Sequence, residues 1–333
     1  MSLVPISGYL DSQTGGSLLG QLFELNKYPT SFTALMGGLN GNLRIVSQPD
    51  FPMAVTDAVE TPTLTAGIIE LTTQAPSNYE NQVQEFNTTE IIKRKFGFSA
   101  AALSSTGELA STGLAILPGL EEVNRVNTPE YQASRHMISI QREYELKALN
   151  QTYVQGRKSG ANLTGRQMGG LLTQITGVNK KDASNAGTAV PLTRLIFEER
   201  IRFLVEIGAM GSDGEIFALC DADLRATITE LYRSLNTRLT SNTIVNVGVT
   251  SIETDWGVIQ LVYCPSIPVN TILFTQPAIC SPVALPHPKK GILFLEPKAS
   301  LDDEESWSIY GDLGIDFGPR EYHALLVGVA PTV

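Results

Sequence analysis

Cysteine and histidine, the residues that most often bind metals or act in catalysis, are scarce in this sequence. Its 333 residues include three of each. Cys220, Cys264 and Cys280 are an odd number at wide spacing, and none belongs to a Cys-x-x-Cys pair. We therefore expect no metal site and no disulfide framework. The cysteines are interpreted as buried, reduced thiols of a cytosolic product.

Long apolar runs are absent as well. None approaches the roughly 18 residues that a membrane helix needs, so no membrane partner is expected. The N-terminal stretch MSLVPISGYLDSQ has neither a basic region nor an apolar core, and it is not interpreted as a signal peptide. Because glycosylation requires secretion, the sequons at Asn87, Asn150 and Asn162 are expected to have no function.

The sequence also lacks the motifs that carry chemistry. It contains no Gly-x-Ser-x-Gly elbow, His-Glu-x-x-His pair, Walker loop, EF-hand or dinucleotide fingerprint. Two near misses, GRKSG at 156–160 and GSDGE at 211–215, have the wrong spacing for phosphate or calcium and are interpreted as turns. We expect structural roles for His136, His287 and His323. The sequence predicts no catalytic site and no cofactor.

Positive charge is in deficit, with 24 Lys and Arg against 34 Asp and Glu, a net charge of −10. This balance disfavours a protein that reads nucleic-acid sequence, because phosphate contacts need clustered Lys and Arg. The net charge is −7 over residues 1–90, +6 over 91–205 and −9 over 206–333. Either the unevenness is chance on solvated helix faces, or the segments attract each other within or between chains.

What the sequence does contain is enough apolar side chain for a globular protein, at 42% hydrophobic and 17% charged residues. Its length exceeds the roughly 250–300 residues that one core usually reaches, which predicts two or more lobes. Residues 1–60 are rich in Gly, Ser, Thr and Pro and have little apolar pattern. We interpret them as an arm that lies across another surface.

The next region predicts a long β-hairpin. AGIIELTTQ at 66–74 and IIKRKFGFS at 91–99 are rich in residues that favour strands. In the second run, Ile91, Lys93 and Lys95 share one face, and Ile92, Arg94, Phe96 and Phe98 share the other. A two-stranded ribbon is marginal alone and needs a surface to lie on. Two strands of an ordinary sheet are the alternative.

A single long helix is predicted for residues 130–157. Thr128 suits the N-cap and Pro129 the first helical position, while Gly156 and Gly160 are expected to end the helix. An apolar stripe at helical spacing contains Met137, Ile140, Tyr144 and Ala148, widened by Ile138, Leu149 and Tyr153. A helix of about 28 residues spans roughly 40 Å, which is long for a globular domain.

The rest of the chain alternates between helical and strand patterns. Helices are predicted at 191–208 and 221–239, starting at Pro191 and at Asp221 with Asp223. Strands are predicted within 243–254, 256–264 and 271–285, with a turn at Asp255, and three more within 291–330. The fold class is therefore α+β. An arm and a ribbon that cannot be stable alone indicate a building block with neighbouring subunits.

The order of these parts resembles the Hong Kong 97-type major capsid protein of tailed bacteriophages, in particular the phage SU10-type major head proteins. The stretches that carry the resemblance are FSAAALSSTGELA, EYQASRHMISIQREYELKALN, RQMGGLLTQITG, LTRLIFEERIRFLVEIGAMG and ETDWGVIQLVYCPSIPVNTILF. It covers residues 60–333, and its specificity lies in the order of the stretches.

The resemblance implies a Hong Kong 97-like subunit. Residues 1–60 would be the N-terminal arm and 61–115 the extended loop that reaches over a neighbour. The peripheral domain would comprise 116–164, with a spine helix at 128–158, and 286–333. The axial domain would be 165–285, which meets its copies around five- and six-fold axes.

The resemblance also implies partners and a location. Copies of the chain would form pentamers and hexamers of an icosahedral shell that encloses double-stranded DNA without sequence-specific binding. A scaffold, a portal, a maturation protease and decoration proteins are the implied partners. Residues 1–60 are too short for a fused scaffolding segment, so the scaffold would be separate or removed. The location would be the virion capsid, assembled in the bacterial host cytoplasm.

The leading hypothesis is thus a self-assembling capsid subunit. We expect Lys93, Arg94 and Lys95 to contact acidic groups of a neighbouring subunit. Lys93 and Lys95 are also the candidates for a covalent cross-link, which the founding member makes through a loop Lys. The alternatives are the shell protein of an encapsulin-like nanocompartment, and an enzyme with an unrecognised site in a β-rich lobe.

Overall fold

The computed structural model describes residues 29–39, 42–57, 82–99, 129–156, 165–208, 215–233, 239–244, 247–254, 257–298 and 304–331. Its helices are α1 (Ser31–Leu35), α2 (Pro129–Asn150), α3 (Leu171–Gln174), α4 (Arg194–Glu206) and α5 (Ala222–Arg233). Short 3₁₀ turns cover Gly177–Asn179, Pro277–Ile279 and Arg320–Tyr322.

Sixteen strands are described. The first eight are β1 (Arg44–Ile45), β2 (Asp50–Asp57), β3 (Gln82–Thr88), β4 (Glu90–Ser99), β5 (Lys180–Asp182), β6 (Val190–Pro191), β7 (Glu215–Cys220) and β8 (Leu239–Ile244). The others are β9 (Val247–Thr254), β10 (Gly257–Tyr263), β11 (Thr271–Thr275), β12 (Ser281–Ala284), β13 (Leu293–Lys298), β14 (Glu304–Asp316), β15 (Ala324–Val327) and β16 (Val329–Ala330).

The first sheet is built around the long strand β14. Antiparallel β4 pairs along one side of it, and β13 and β12 pair along the other. Strand β1 extends the sheet beyond β12 in parallel. Helix α2 lies on one face, where Ile92 of β4 and Ile140 and Tyr144 of α2 are buried in one apolar cluster. The sheet and the helix thus form two layers.

The second sheet has seven strands in the order β5-β15-β11-β7-β10-β9-β8. Its strands alternate between two cores, as the period-2 geometry of a strand requires. Leu273 of β11 joins the core beneath α2, whereas Ile272 and Phe274 pack with α4 and α5 on the opposite face. The ring centroids of Phe274 and Phe197 of α4 are 5.3 Å apart. This sheet is therefore buried on both faces.

The N-terminal prediction is wrong for the residues that the structure describes. An arm over another surface was expected up to residue 60, but Phe32, Met36, Val46, Phe51 and Met53 are buried in the chain's own core. Strand β1 pairs with β12, and β2 pairs with β3. Each short element buries only one or two apolar side chains, so no periodic pattern marked the segment as core.

The predicted hairpin also pairs differently. Strand β4, which contains the run 91–99, pairs with β14, whereas the ribbon is formed by β2 and β3. The run 66–74 lies outside the described residues. The assignment of 91–99 to an ordinary sheet, the alternative reading, is thus right. The alternation within β4 is confirmed, since Ile92 and Phe96 are buried and Lys93 is exposed.

The long helix is confirmed as one unbroken element, but it is shorter than predicted. It begins at Pro129, as expected, and ends at Asn150. Beyond it, Val154 exchanges two backbone hydrogen bonds with Gln167, at 3.0 and 3.1 Å, so the chain continues as an extended segment. Gly156 is therefore not the terminator. Ile138 is 38% exposed and does not belong to the buried stripe.

The two helices predicted at 191–208 and 221–239 are present as α4 and α5, but each begins later than predicted. Pro191 pairs with Ala330 in the small sheet of β6 and β16, and α4 begins three residues later, capped by the hydroxyl of Thr193. At α5 the carboxylate of Asp221 accepts a hydrogen bond from the Leu224 N–H at 2.8 Å, which confirms an acidic start. The turn predicted at Asp255 lies outside the described residues.

Two strands cross the predicted domain boundaries. Strand β12 falls within the predicted axial domain 165–285 but pairs in the first sheet. Strand β15 falls within the predicted peripheral segment 286–333 but pairs between β5 and β11 in the second sheet. The division into peripheral and axial domains stays a prediction, and these two strands do not follow it.

Candidate functional site

The described residues offer little for catalysis. No group of three or more His, Cys, Asp or Glu side chains among them is arranged to hold a metal ion. All three cysteines are buried, as predicted. Burial raises the pKa of Cys220 and Cys280 to about 12, so these thiols stay protonated at neutral pH and are poor nucleophiles. Of the helices that can be described, none has the length and apolar character to cross a membrane.

The histidines have structural surroundings. His323 is fully buried; its Nε2 lies 2.7 Å from the Phe317 carbonyl oxygen, and its Nδ1 lies 2.8 Å from the Thr275 hydroxyl. Because a carbonyl only accepts, Nε2 carries the proton and Thr275 donates to Nδ1. Burial lowers the pKa of His323 to about 4. His136 stacks on Phe96, with ring centroids 5.0 Å apart.

The ribbon formed by β2 and β3 presents apolar side chains outward. Phe86 is 54% exposed and Val83 is 56% exposed. Pro52, which pairs with Phe86, is exposed as well. At the base of the ribbon the apolar side chains are buried instead, as Phe51 and Met53 show. Apolar surface on a fixed ribbon is a feature of a protein that buries it against another chain.

Asn87 fixes the base of the ribbon. Its Nδ2 donates to the carbonyl oxygens of Gly169 and Ile315, at 3.0 and 2.8 Å. Its Oδ1 accepts from the N–H groups of Gly169 and Thr88, at 2.8 and 2.9 Å. All four hydrogen-bonding positions of the buried amide are used, and they join β3, β14 and the segment after residue 165. This side chain holds the ribbon to the first sheet.

Ionic contacts support the same base. The Arg320 guanidinium is paired with Glu85 of β3. Burial raises the pKa of Glu85 although Arg320 opposes it. The Glu90 carboxylate accepts a hydrogen bond from the Met168 N–H at 3.1 Å, just where β3 passes into β4. The ribbon is therefore anchored by contacts on both sides of Asn87.

The segment around Met168 reaches the end of α2 through a close approach. A Cβ atom on Gly170 would lie 2.7 Å from backbone atoms of Leu149 and Gln151. The Gly170 N–H donates to the Gln151 carbonyl at 2.7 Å. Only glycine fits this contact, which gives the RQMGGLL stretch a structural role: it joins the helix end to the ribbon base.

A chain of opposite charges joins α2 to β4. Arg94 is paired with Glu143, Glu143 with Lys147 at 2.9 Å, and Lys147 with Glu90. Burial works to lower the pKa of Lys147, but the hydrogen bonds to Glu90 and Glu143 outweigh it and raise that pKa. Arg94, one of the three residues expected at a subunit contact, thus has an acidic partner within its own chain.

Lys93 and Lys95, the other two expected contact residues, lie on the face of β4 that points away from α2. Both are exposed, and Ile91 beside them is 47% exposed. The structure thus separates the three predicted residues, with Arg94 turned toward the helix and the two lysines turned outward. Their role at a subunit contact stays a prediction.

Comparison with known proteins gives these surfaces a context. The family model of the SU10 major capsid protein matches residues 6–330. The chain belongs to the SU10 major capsid protein family. As a member of this family it is a capsid shell protein. Comparison with curated protein sequences finds no match.

Solved capsid structures share the fold of this SU10-family protein. The cyanophage A-1(L) capsid subunit is 12% identical, with a TM-score of 0.64, over 93% of this chain and 96% of that chain. The capsid of the native GTA particle is 10% identical, with a TM-score of 0.56, over 96% and 98%. The SrpI encapsulin of Synechococcus elongatus PCC 7942 is 10% identical, with a TM-score of 0.58, over 95% and 94%. Identity this low shows the fold alone.

A second buried polar group of this capsid protein, Glu145, was not predicted from the sequence. The Glu145 carboxylate on α2 accepts hydrogen bonds from the Thr33 N–H at 3.1 Å, the Ser266 hydroxyl at 3.3 Å and the Cys264 thiol at 3.5 Å. Burial raises the pKa of Glu145 despite these donors. The contact ties α1 to α2. A signal was present in the sequence, since Glu145 lies four residues before Leu149 and so on the side of the helix that Leu149 adds to the apolar stripe.

Proposed function

We propose that the chain is the major capsid protein of a tailed bacteriophage, with a Hong Kong 97-like subunit layout. In this layout α2 is the spine helix, and residues 50–88 form the extended loop, instead of the 61–115 expected from sequence. The observation that carries the proposal is the ribbon, whose base is fixed by Asn87 while Phe86 and Val83 are exposed.

Assembly then proceeds by packing between copies. The exposed apolar side chains of the ribbon become buried on a neighbouring subunit, which gives a hydrophobic contribution of about 25 cal/mol per Å². Copies meet as pentamers and hexamers of a closed shell, a symmetric arrangement that leaves no ribbon without a partner. Lys93 and Lys95 add charge contacts with acidic groups of a neighbour, which set the register of the two chains.

The proposed shell encloses double-stranded DNA without reading its sequence, in keeping with a net charge of −10. We further propose a scaffold, a portal, a maturation protease and decoration proteins as partners, the virion capsid as location, and the bacterial host cytoplasm as the place of assembly. These partners follow from the family resemblance.

The first experiment is to image the purified protein by negative-stain electron microscopy and to measure its size by light scattering. Rings or closed shells are expected. Under assembly conditions that include a candidate scaffold, a small particle with no higher assemblies would contradict the proposal and favour an enzyme with an unrecognised site.

The similarity to the SrpI encapsulin keeps a nanocompartment shell as the second candidate. Both candidates form shells, so the contents decide between them. We expect shells isolated from an infected or induced host to contain double-stranded DNA, detected by nuclease protection. Shells that instead hold a co-purifying enzyme, identified by mass spectrometry, would favour the nanocompartment.

A further inference from the structure

Five acidic side chains are buried within the described part of the chain, and four of them have a basic partner. The four ion pairs are Glu85–Arg320, Glu90–Lys147, Asp312–Arg166 and Asp316–Arg44. The fifth acidic residue, Glu145, is 0% exposed, and no Lys or Arg of the described residues is paired with it. A buried carboxylate without a positive partner is costly, so Glu145 is the one that favours its neutral form.

The surroundings of Glu145 contain hydrogen-bond donors but no positive charge. Helix α1 has no charged side chain, and Lys147, two residues further along α2, is engaged by Glu90 and Glu143. Of the described side chains that contact Glu145, the Cys264 thiol is the titratable one. Burial, with the nearby Glu145 carboxylate, raises the pKa of Cys264 far above its ordinary value, so this thiol stays protonated. Proton exchange at this place therefore belongs to Glu145.

Helix α1 depends on Glu145 for its first turn. The N–H groups at the start of a helix have no partner within the helix, and the N-cap side chain usually binds one of them. Here the N-cap residue Thr30 makes no such hydrogen bond. The N–H of Thr33, the third residue of α1, donates instead to Glu145 Oε2 on α2, at 3.1 Å. A side chain 112 positions away thus caps α1.

Glu145 can keep its contacts in either protonation state. When it is ionised, both carboxylate oxygens accept hydrogen bonds. When it is neutral, Oε1 can carry the proton and donate to the Ser266 hydroxyl, 3.3 Å away, because a hydroxyl also accepts. Burial raises the pKa of Glu145 and outweighs the hydrogen bonds from Thr33, Cys264 and Ser266, which lower it. The closed arrangement therefore binds the proton more tightly than water-exposed glutamate does.

Two glycines separate α1 from the next anchored element. Gly37 and Gly38 have φ angles of +89° and +79°, in the region that favours glycine. A Cβ atom on Gly38 would meet no other atom within 4 Å, so the backbone is not packed at that point. Beyond the glycines, β1 is held independently, since it pairs with β12 and its Arg44 is paired with Asp316. The geometry is that of a hinge between α1 and the first sheet.

We propose that Glu145 is a proton-controlled latch for α1. In its neutral form Glu145 holds α1 against α2 and the loop at 264–266. When Glu145 ionises, α1 opens about Gly37 and Gly38, and the carboxylate reaches water. Residues 1–28 join the rest of the chain through α1, so the latch controls their attachment. The inference concerns the unassembled chain and does not rest on the proposed function.

The direction of the pH response follows from the shift in the pKa of Glu145. Because this pKa is raised above 4.5 in the closed chain, closing takes up a proton when the pH lies between the two values. The latch is therefore fully closed below about pH 4.5 and weakens as the pH rises through the pKa of the closed form. His323 acts in the opposite direction, on global stability, as the pH falls. The measurement must therefore be local to α1.

Hydrogen exchange of the unassembled chain, followed by mass spectrometry from pH 5 to pH 8, provides that measurement. After correction for the intrinsic exchange rate, protection of residues 31–36 is expected to fall at least about fivefold with rising pH, and protection of α5 should not. Glu145→Gln still accepts from the Thr33 N–H but cannot ionise, so its protection should change less than about twofold. Glu206→Gln, the same change at an exposed position of α4, is the control and should keep the native profile.

A second measurement uses the native chain alone and does not depend on the variants folding. Opening of the latch exposes Cys264, whereas Cys220 is buried in the core on the other face of the second sheet. Both are alkylated with iodoacetamide and quantified by mass spectrometry. The ratio of the Cys264 rate to the Cys220 rate cancels the common effect of pH on thiols, and it is expected to rise at least about fivefold from pH 5 to pH 8.

Three results would overturn the latch. The first is a protection of residues 31–36, or a Cys264 to Cys220 ratio, that does not change with pH or changes in the opposite direction. The second is the native pH profile in Glu145→Gln. The third is a loss of protection with rising pH that α5 shares with α1, because this would report unfolding of the whole chain instead of local opening.

Discussion

Single buried polar side chains join parts of this chain that are distant in sequence. Asn87 connects β3 to residues 169 and 315, and Glu145 connects α2 to residues 33 and 266. A buried amide whose hydrogen bonds are all made adds little to the free energy of unfolding, because the same groups bond to water in the unfolded chain. Leaving the amide buried without its partners lowers stability much more. These residues therefore set which elements meet.

Replacing Asn87 by Asp tests that role. The substitution exchanges a donor for a second acceptor, which would face the carbonyl oxygens of Gly169 and Ile315. We expect a loss of about 3 kcal/mol or more in the free energy of unfolding. Urea unfolding of the unassembled chain measures it. Gln141→Glu, the same chemical change on the exposed side of α2, is the control and should shift stability by less than about 0.5 kcal/mol.

Because burial lowers the pKa of His323, we expect the free energy of unfolding to depend on pH. Its pKa is about 4 in the folded chain against 6.5 for an ordinary histidine, so only the unfolded chain gains a proton between these values. The stability it contributes is complete above pH 6.5 and is lost as the pH falls toward 4, by on the order of 3 kcal/mol.

The measurement compares urea unfolding at pH 7.5, 5.5 and 4.5 for the native protein and His323→Gln. The variant is expected to be less stable at pH 7.5 but to lose less stability on acidification. Parallel pH profiles for the two proteins would contradict the assignment of this dependence to His323.

Among the elements, α2 is the clearest example of an amphipathic helix with one buried side. Ile140, Tyr144 and Ala148 are fully buried against the first sheet, and the Tyr144 hydroxyl donates to the Gly314 carbonyl at 2.9 Å. On the opposite side Ile138 and Leu146 are exposed, at 38% and 52%. The helix is thus held by one stripe and by the charge contacts to β4.

Two isoleucines of α2, one buried and one exposed, allow the assignment of the buried side to be tested with the same substitution. Ile140→Ala removes a fully buried side chain and is expected to destabilise the chain by about 2–5 kcal/mol. Ile138→Ala, the same change at a 38% exposed position, should cost less than about 1 kcal/mol. Thermal or urea unfolding of the two variants checks this, and equal losses would show that the buried stripe is assigned incorrectly.

At the scale of the whole molecule, the two large sheets contain most of the described strands, and the β2–β3 ribbon is a separate two-stranded sheet. At its base Phe51 and Met53 belong to the core and Asn87 is buried, whereas residues 58–81 connect the strands in sequence. Asp57 and Gln82 are the last pair of the ribbon and lie directly opposite each other. A two-residue turn can therefore close the strands at this point.

Replacing residues 58–81 by Asn-Gly is expected to separate folding from assembly. The shortened chain keeps its core and should unfold cooperatively, with a circular dichroism spectrum close to that of the full chain. Shell yield by sedimentation should fall at least tenfold if residues 58–81 make the proposed contact with a neighbouring subunit. A normal yield of shells from a well-folded shortened chain would contradict a role for this segment in assembly.

The sequence by itself determined the elements whose pattern is local. The spacing of Ile140, Tyr144 and Ala148 predicted a helix and its buried side, and the alternation in β4 predicted which side chains face the core. The order of the parts indicated the capsid family, which the family match confirms. Periodicity suffices in these cases because one face of the element is buried along most of its length.

Only the tertiary structure decided which strands pair, where α2 ends and which polar residues hold the ribbon. By pattern, β4 fitted either a hairpin with residues 66–74 or an ordinary sheet, and its partner β14 lies more than 200 positions away in the sequence. The helix ends at Asn150, and beyond it Gln151 and Val154 form backbone hydrogen bonds with the segment after residue 165. Asn87 was assigned no function from the sequence, because the residues next to it do not indicate that it hydrogen-bonds to Gly169 and Ile315. Contacts between distant residues leave no periodic trace in the chain, and here they fix the architecture.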